Sequence, residues 1–300
     1  MSTEKLIKSN NIQYDAFALR NQAEQNGYLF FSDLVDPNRI MEVRREITSI
    51  LQEVGWIDVN TDPLLAITSH EARLTGSPEF SQVYDMIQCL ESFHSLAHHI
   101  SLLQITESLL QSDVLLQPSN IARVIFPSQL EHTTPPHQDY VHIQGTPDVW
   151  TVWIPLGDCP QRLGGLSVLV GSHNLGILPV SKSLGAGGLR VDTQHTDLKW
   201  AYSPLNCGDV LFFHSHTVHK GLANLSGNQL RLSVDYRYQR ACDPVMDLVL
   251  GPHQGRLKWS EVYANWQSNQ YQYYWKNFSL NPVKKQPWPT DMPLTEKGKR

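Results

Sequence analysis

From Val114 onward the chain is written in short runs of Val, Ile, Leu, Phe, Trp and Tyr, each closed by Gly, Pro, Asn or Asp. The clearest runs are 121–126, 149–156, 166–170, 209–213 and 230–238. They are too short for helices and every break holds turn residues, a grammar that leaves an antiparallel sandwich or barrel as the natural solution. The residues before Val114 follow a different rule. Tyr14 to Asn26 reads as a helix stopped by Gly27, and a short apolar strand at 28–31 follows. Asp36 and Pro37 supply an N-cap and a first-turn proline, and Ile40, Val43, Ile47, Ile50, Leu51 and Val54 form one helical stripe ended by Gly55. Ser77, Pro78 and Glu79 repeat that signal, with Phe80, Val83, Ile87, Leu90 and Phe93 continuing at helical spacing toward Leu110. The expectation is a mainly β chain with flanking helices that form one composite domain: a helical part over 1–113 packed on the sheet, a β core over 114–240 and an aromatic-rich extension over 241–300.

Charge and composition narrow the function. The formal charge is −5, and no basic block is longer than the Lys284-Lys285 pair and the tail at 297–300, so a nucleic-acid backbone finds no electrostatic footprint. The start of the chain is polar and no apolar run reaches about eighteen residues, which predicts a soluble protein with no membrane partner. Cys89, Cys159, Cys207 and Cys242 are scattered without a Cys-x-x-Cys pair, reading as reduced thiols in a cytoplasmic protein. Two stretches stand apart. Residues 181–205, with Gly185, Gly187 and Gly188, read as a plain loop or a connection long enough to act as a lid, and 259–288, crowded with Trp and Tyr, as a pocket wall, a dimer contact or, first, a cap on the sheet.

Chemistry concentrates around Pro136-His137-Gln138-Asp139. In an extended segment, residues two apart point to the same side, so His137 and Asp139 form two parts of a metal site needing one more imidazole. His214, His216 and His219 all lie downstream within one segment, and spacing alone does not choose among them. His94 and His98 sit one helical turn apart but have no zinc-protease context, and read as core or surface groups.

Several further motifs occur in order: Thr146-Pro147 leading into Trp150-Thr151-Val152-Trp153, the strand between Gly165 and Gly171, Gly208-Asp209, His219-Lys220-Gly221, and Arg231-Leu232-Ser233. Over roughly 121–238 the chain resembles the phytanoyl-CoA dioxygenase family of iron(II)- and 2-oxoglutarate-dependent oxygenases. The resemblance implies a double-stranded β-helix, a cupin-like jelly roll, with Fe(II) held by His137, Asp139 and His219. The family pattern selects His219 because it precedes a glycine and lies about a dozen residues before an arginine.

The resemblance also implies 2-oxoglutarate and O2 as cosubstrates. Arg231 is the expected clamp for the distal carboxylate, since a guanidinium fork matches a carboxylate and stays charged when buried. Ser233 follows two residues later on the same face, and Trp153 and Thr151 are expected near the cosubstrate. Arg237 and Arg240, further along the run, fit edge-strand arginines facing solvent. The implied activity is hydroxylation of a C–H bond in a small metabolite of secondary metabolism, with Asp139 speaking against the halogenase branch. Trp150, Tyr140, Trp200 and Tyr202 are expected to furnish an aromatic and polar substrate pocket. Competing readings are an acyl-CoA or lipid 2-hydroxylase, a non-catalytic jelly-roll binding protein, and a zinc or manganese cupin. The expected assembly is a monomer or homodimer.

Overall fold

The computed structural model describes residues 3–185, 187–194 and 196–288; Ala186 and the basic tail at 297–300 lie outside them. The first helix, α1 (Ala16–Asn26), is capped by Asp15, whose carboxylate accepts from the Phe17 and Ala18 amides, and ends at Gly27 with φ 74°. Strand β1 (Tyr28–Phe31) leads to α2 (Pro37–Glu53), where the Asp36 carboxylate accepts from the Asn38 amide at 2.9 Å. Ile40, Val43, Ile47 and Leu51 on α2 are essentially inaccessible, as the stripe predicts. Each such side chain contributes about 1.5–3 kcal/mol through burial.

The helix expected from Ser77 to Leu110 is three: α3 (Pro78–Gln88), α4 (Glu91–Leu96) and α5 (Ile100–Leu110). Leu90 and His99 adopt extended ψ angles of 124° and 130° and break it. The breaks let α4 turn against the sheet, where the Tyr236 hydroxyl donates to the Phe93 carbonyl at 2.7 Å and Tyr238 to Ala97 at 2.6 Å. Hydrophobic periodicity alone continues through both breaks because Leu90 and Phe93 are needed by the core in either geometry. His94 and His98 are packing residues, His94 bonded to the Gln88 carbonyl and His98 stacked on Tyr271.

The β part follows as β2 (Val114–Leu116), β3 (Ile121–Ile125), a one-turn α6 (Tyr140–Ile143), β4 (Val149–Pro155), β5 (Gly165–Leu169), β6 (Val180–Lys182), β7 (Leu189–Val191), β8 (Trp200–Ala201), β9 (Val210–His214), β10 (His219–Leu222), β11 (Arg231–Arg240) and β12 (Pro244–Met246); α7 (Trp259–Val262) and β13 (Asn281–Val283) complete the described chain. The larger sheet runs β1-β9-β4-β11, and the far edge of β11 pairs first with β3 and then with β2. A smaller sheet, β10-β5-β8, faces it. All these pairings are antiparallel. This is the jelly-roll architecture, with two sheets enclosing an interior.

The period of two divides the larger sheet cleanly. Leu232, Val234, Tyr236 and Tyr238 of β11 and Val152 and Ile154 of β4 join the helix-covered core with Ile47, Phe80 and Phe93. Trp153, Leu211 and Phe213 face inward, against Leu166 and Val168 of the smaller sheet. The inward residues of β11 are polar instead: Arg231, Ser233, Asp235 and Arg237, all buried. Trp259, Tyr263, Trp266, Tyr273, Tyr274 and Trp275 pack with Leu115, Val245 and Met246 and cap one end of the sheet, whereas Trp288 packs with Val180, Val191 and Trp200. All four cysteines are free. No helix among the described residues is long and apolar enough to cross a membrane.

Candidate metal and cosubstrate site

His137 and His219 meet across an isolated antiparallel bridge, each donating its amide to the other's carbonyl at 2.9 and 3.0 Å. Their rings face each other with centroids 4.1 Å apart. Asp139 reaches them differently from the expectation. Its backbone is already helical (φ −61°, ψ −33°) at the start of α6, so a turn, and not the alternation of an extended strand, brings its carboxylate back toward His137. The Asp139 Oδ1 lies 3.6 Å from His137 Nε2 and 3.7 Å from His219 Nε2. One ligand atom from each residue falls within 4.8 Å of the other two, in a buried group able to hold a metal ion.

The surroundings set the chemical state of each group. The Nδ1 of His137 lies 2.8 Å from the Pro135 carbonyl and that of His219 lies 3.0 Å from the Thr217 carbonyl. Those contacts assign the proton to Nδ1 and leave both Nε2 lone pairs facing Asp139. Burial pushes the His219 pKa down to about 3, and neighbouring His137 adds to it, so the imidazole is neutral. Burial works against ionising Asp139, yet the Arg237 guanidinium and the two histidines hold its carboxyl well below the usual carboxylate range. Two imidazoles and one carboxylate are the donor set that suits a divalent iron with open positions.

Asp139 Oδ2, the oxygen turned away from the histidines, accepts from Thr151 Oγ at 2.7 Å and from Arg237 Nε and Nη2 at 3.2 and 3.0 Å. Arg237 is therefore no solvent-facing edge arginine: it is 6% exposed and shares the inward face of β11 with Arg231, four residues from Ser233. The period of two from Arg231 held the signal for this. Arg240, in contrast, is partly exposed and pairs with Asp148 at 2.6 Å. Thr151, expected at the cosubstrate, is placed against Asp139.

Arg231 is 4% exposed and has no carboxylate within ion-pair distance among the described residues. Its Nη1 donates to Ser233 Oγ at a long 3.4 Å, and its Nε is buried without a hydrogen-bond partner. The Trp153 ring lies 6.0 Å from the guanidinium carbon. Trp153 Nε1 and the Tyr202 hydroxyl are likewise buried and unpartnered. A desolvated guanidinium with open donors costs several kcal/mol unless an anion joins it, so the residues present fit an incoming carboxylate.

Two cavities adjoin. The smaller, about 190 Å³, contains Arg231, Thr133, Thr134 and Leu222; the larger, about 520 Å³, contains His137, Asp139 and Arg237. Thr134, Gly187 and Ile125 border both. The expected aromatic pocket does not form. Tyr140 packs on His216 and Trp288, Trp150 lies in the helix-covered core because its β4 parity matches Val152, and Trp200 sits beneath the Lys220 ammonium. His214 and His216 point away from the ligand cluster, each in ring contact with the other.

The sequence matches the family model described as phytanoyl-CoA dioxygenase (PhyH) over residues 23–232. The chain belongs to the phytanoyl-CoA dioxygenase family. It is an iron(II)- and 2-oxoglutarate-dependent dioxygenase. A curated relative, the 1-deoxypentalenic acid 11-beta-hydroxylase of Streptomyces exfoliatus, is 28% identical over 242 residues, covering 76% of this chain and 82% of the relative. The corresponding Streptomyces arenae hydroxylase is 27% identical with the same coverage. Among solved structures, the epimerase SnoN in complex with Fe3+, alpha ketoglutarate and nogalamycin RO aligns with TM-score 0.55 and 21% identity, over 77% of this chain and 85% of that one. The alpha ketoglutarate dependent carbocyclase SnoK from nogalamycin biosynthesis gives 0.51 and 19%, over 80% and 88%. These likenesses establish the shared family fold.

Proposed function

We propose that His137, Asp139 and His219 hold the iron, that Arg231 and Ser233 take the distal carboxylate of 2-oxoglutarate beside Trp153, and that the enzyme hydroxylates a small natural-product metabolite. The observation that carries the assignment is the pair of complementary half-sites: a buried His-Asp-His cluster opening on one cavity, and an Arg231 without a counterion among the described residues opening on the next. The hydroxylases of Streptomyces among its relatives support the reaction and the metabolic setting. When bound, iron with 2-oxoglutarate and dioxygen supplies the oxidant, and the keto acid leaves as succinate and carbon dioxide.

The chain's own part is positional. Thr151 and Arg237 occupy Asp139 Oδ2, which leaves Oδ1 to ligate, and His137 and Asp139 line the larger cavity, where a bound iron would meet substrate. Arg231 fixes the far end of the keto acid, and the apolar walls built by Ile121, Ile125, Ile143 and Met246 exclude water from the substrate side. The β6–β7 hairpin carries Gly187 to the border of both cavities, which supports the lid reading for that segment. The four free cysteines suit a cytoplasmic setting, and the helices and sheet share one apolar core, as a single composite domain acting as a monomer or homodimer would.

The direct test is iron-dependent succinate formation from 2-oxoglutarate, stimulated by a panel of polycyclic metabolites. His137→Ala and Arg231→Ala abolish it. Full turnover by an Asp139→Ala protein would sink the metal assignment.

A further inference from the structure

Between the two ligands of the Pro136-His137-Gln138-Asp139 segment lies a side chain that the metal site does not use. His137 and Asp139 line the larger cavity, whereas Gln138 lies outside that lining and is fully buried. Its Nε2 donates to the Gly176 carbonyl at 2.8 Å and to the His216 carbonyl at 2.7 Å, and its Oε1 accepts from the Leu178 amide at 2.8 Å. Turning the amide over would set its oxygen against two carbonyls and its nitrogen against an N–H, so the three partners fix its orientation. All three bonds go to the main chain of other segments.

Both of those segments bear on the metal. His216 lies in the turn between β9 and β10, three residues before His219, and the Thr217 carbonyl of the same turn orients the His219 ring. The backbone bridge of His137 and His219 is one tie between the ligand strands, and a single tie leaves them free to pivot. The Gln138 bond to His216 is a second tie, and two ties fix an angle as well as a distance. Gly176 and Leu178 form the approach to β6, and at the other foot of that hairpin Val191 of β7 donates its amide to the Pro136 carbonyl at 2.7 Å. Both feet of the β6–β7 hairpin therefore stand on the segment that carries His137 and Asp139.

Resting on the assignment of iron to His137, Asp139 and His219, we propose that Gln138 is a positioning residue. It holds the His137–Asp139 segment at a set angle to the turn that carries His219, and through Gly176 and Leu178 it joins the β6–β7 hairpin to the metal centre. The coupling is reciprocal by linkage: a hairpin that steadies the ligands must itself be steadied when the metal binds. The other supports of the ligands act more locally. Thr151 and Arg237 bond Asp139 itself, and the Pro135 and Thr217 carbonyls each orient one imidazole from two residues away in its own segment. Gln138 instead ties three segments together through one buried amide.

Gln138→Met keeps the length of the side chain and removes all three bonds. Two readouts on the full chain test the proposal: anaerobic Fe(II) titration, and amide hydrogen exchange with and without Mn(II) and 2-oxoglutarate. In the wild type, loading is expected to slow exchange of the Leu178 and Val191 amides by about fivefold or more, beyond any slowing elsewhere in the chain. Gln138→Met lowers Fe(II) affinity by about 10- to 100-fold, the usual effect of losing the outer support of metal ligands, and the slowing over 176–182 falls below about twofold. Tyr236→Phe, which loosens α4 instead, is the control for lost stability and leaves both readouts at wild-type values. An unchanged Fe(II) affinity in Gln138→Met, a wild-type hairpin whose exchange ignores the metal, or an equal loss of affinity in Tyr236→Phe would each overturn the proposal. Should Gln138→Met fail to fold, the wild-type exchange decides alone, since slowing spread evenly through the chain refutes it. The charge-transfer absorption of the anaerobic Fe(II)–2-oxoglutarate complex separates the two readings. Its absence in the wild type removes the metal assignment, and its presence beside any of the refuting results removes only the role of Gln138.

Discussion

Arg237 donates to the Asp139 oxygen turned away from the imidazoles, and in doing so decides how many oxygens the carboxylate can offer a metal. Hydrogen-bond partners of metal ligands typically shift metal affinity 10- to 100-fold when removed. Arg237→Gln is expected to weaken Fe(II) binding by roughly that factor, and Thr151→Val by about tenfold or less, because a neutral bond is lost in place of a charged one. Anaerobic metal titration reads both; an Arg237→Gln protein with wild-type affinity would show that the contact positions nothing. Arg231→Gln moves a different quantity. It raises the KM for 2-oxoglutarate by roughly 10- to 100-fold, the worth of a charge-assisted pair, and leaves metal affinity within about threefold. Residue-level reading of the sequence singled out His137, Asp139 and Arg231 because their types are chemically specific. It missed Arg237 because an arginine late in a strand is ambiguous until the inward face of β11 is counted from Arg231.

The second layer of order is the alternation of β11 and β4, which sorts the chain into a chemical interior and an apolar exterior. Strand positions were legible to within a residue or two: the run 230–238 is Arg231–Arg240 and 209–213 is Val210–His214. The aromatic pocket failed at this scale, since Trp150 shares the parity of Val152 and Ile154 and must point at the helices. The long helix failed because α4 is placed by contacts from the sheet that no local signal announces. Tyr236 and Tyr238 make those contacts through buried hydroxyls to carbonyls of α4 and its C-terminal turn. Tyr236→Phe strands the Phe93 carbonyl and is expected to cost about 1–3 kcal/mol in chemical denaturation, with kcat and KM unchanged. A kinetic effect as large as the stability effect would mean that α4 reaches into catalysis.

Across the whole molecule, several histidines other than the three-residue cluster's are buried in neutral form. Burial lowers His94 and His98 to about 4, and His214 and His253 to about 3. The unfolded chain binds these protons near pH 6.5 and the folded chain resists them, so the stability they contribute is complete above about 6.5 and drains away as the pH falls toward 3–4. At pH 5.5 each has given up roughly 1 kcal/mol, and the apo protein's Tm is expected to drop by on the order of 10 °C between pH 7 and 5.5. A flat Tm over that interval would mean the histidines are hydrated in solution. Composition alone shows thirteen histidines without saying which are dry.

The mutual amide–carbonyl bridge of His137 and His219 joins two ligands eighty-two positions apart by backbone alone. That long loop is closed by backbone groups that use none of the imidazole nitrogens a metal would take, unlike a zinc finger, whose fold waits for its metal. Loss and return of iron are therefore expected to leave the chain folded. During scarcity the protein would persist as an intact, idle apoenzyme, and its activity would follow iron supply within the time of simple ion exchange, without new synthesis. Chelation followed by readdition of Fe(II) should restore full turnover at an unchanged circular dichroism spectrum.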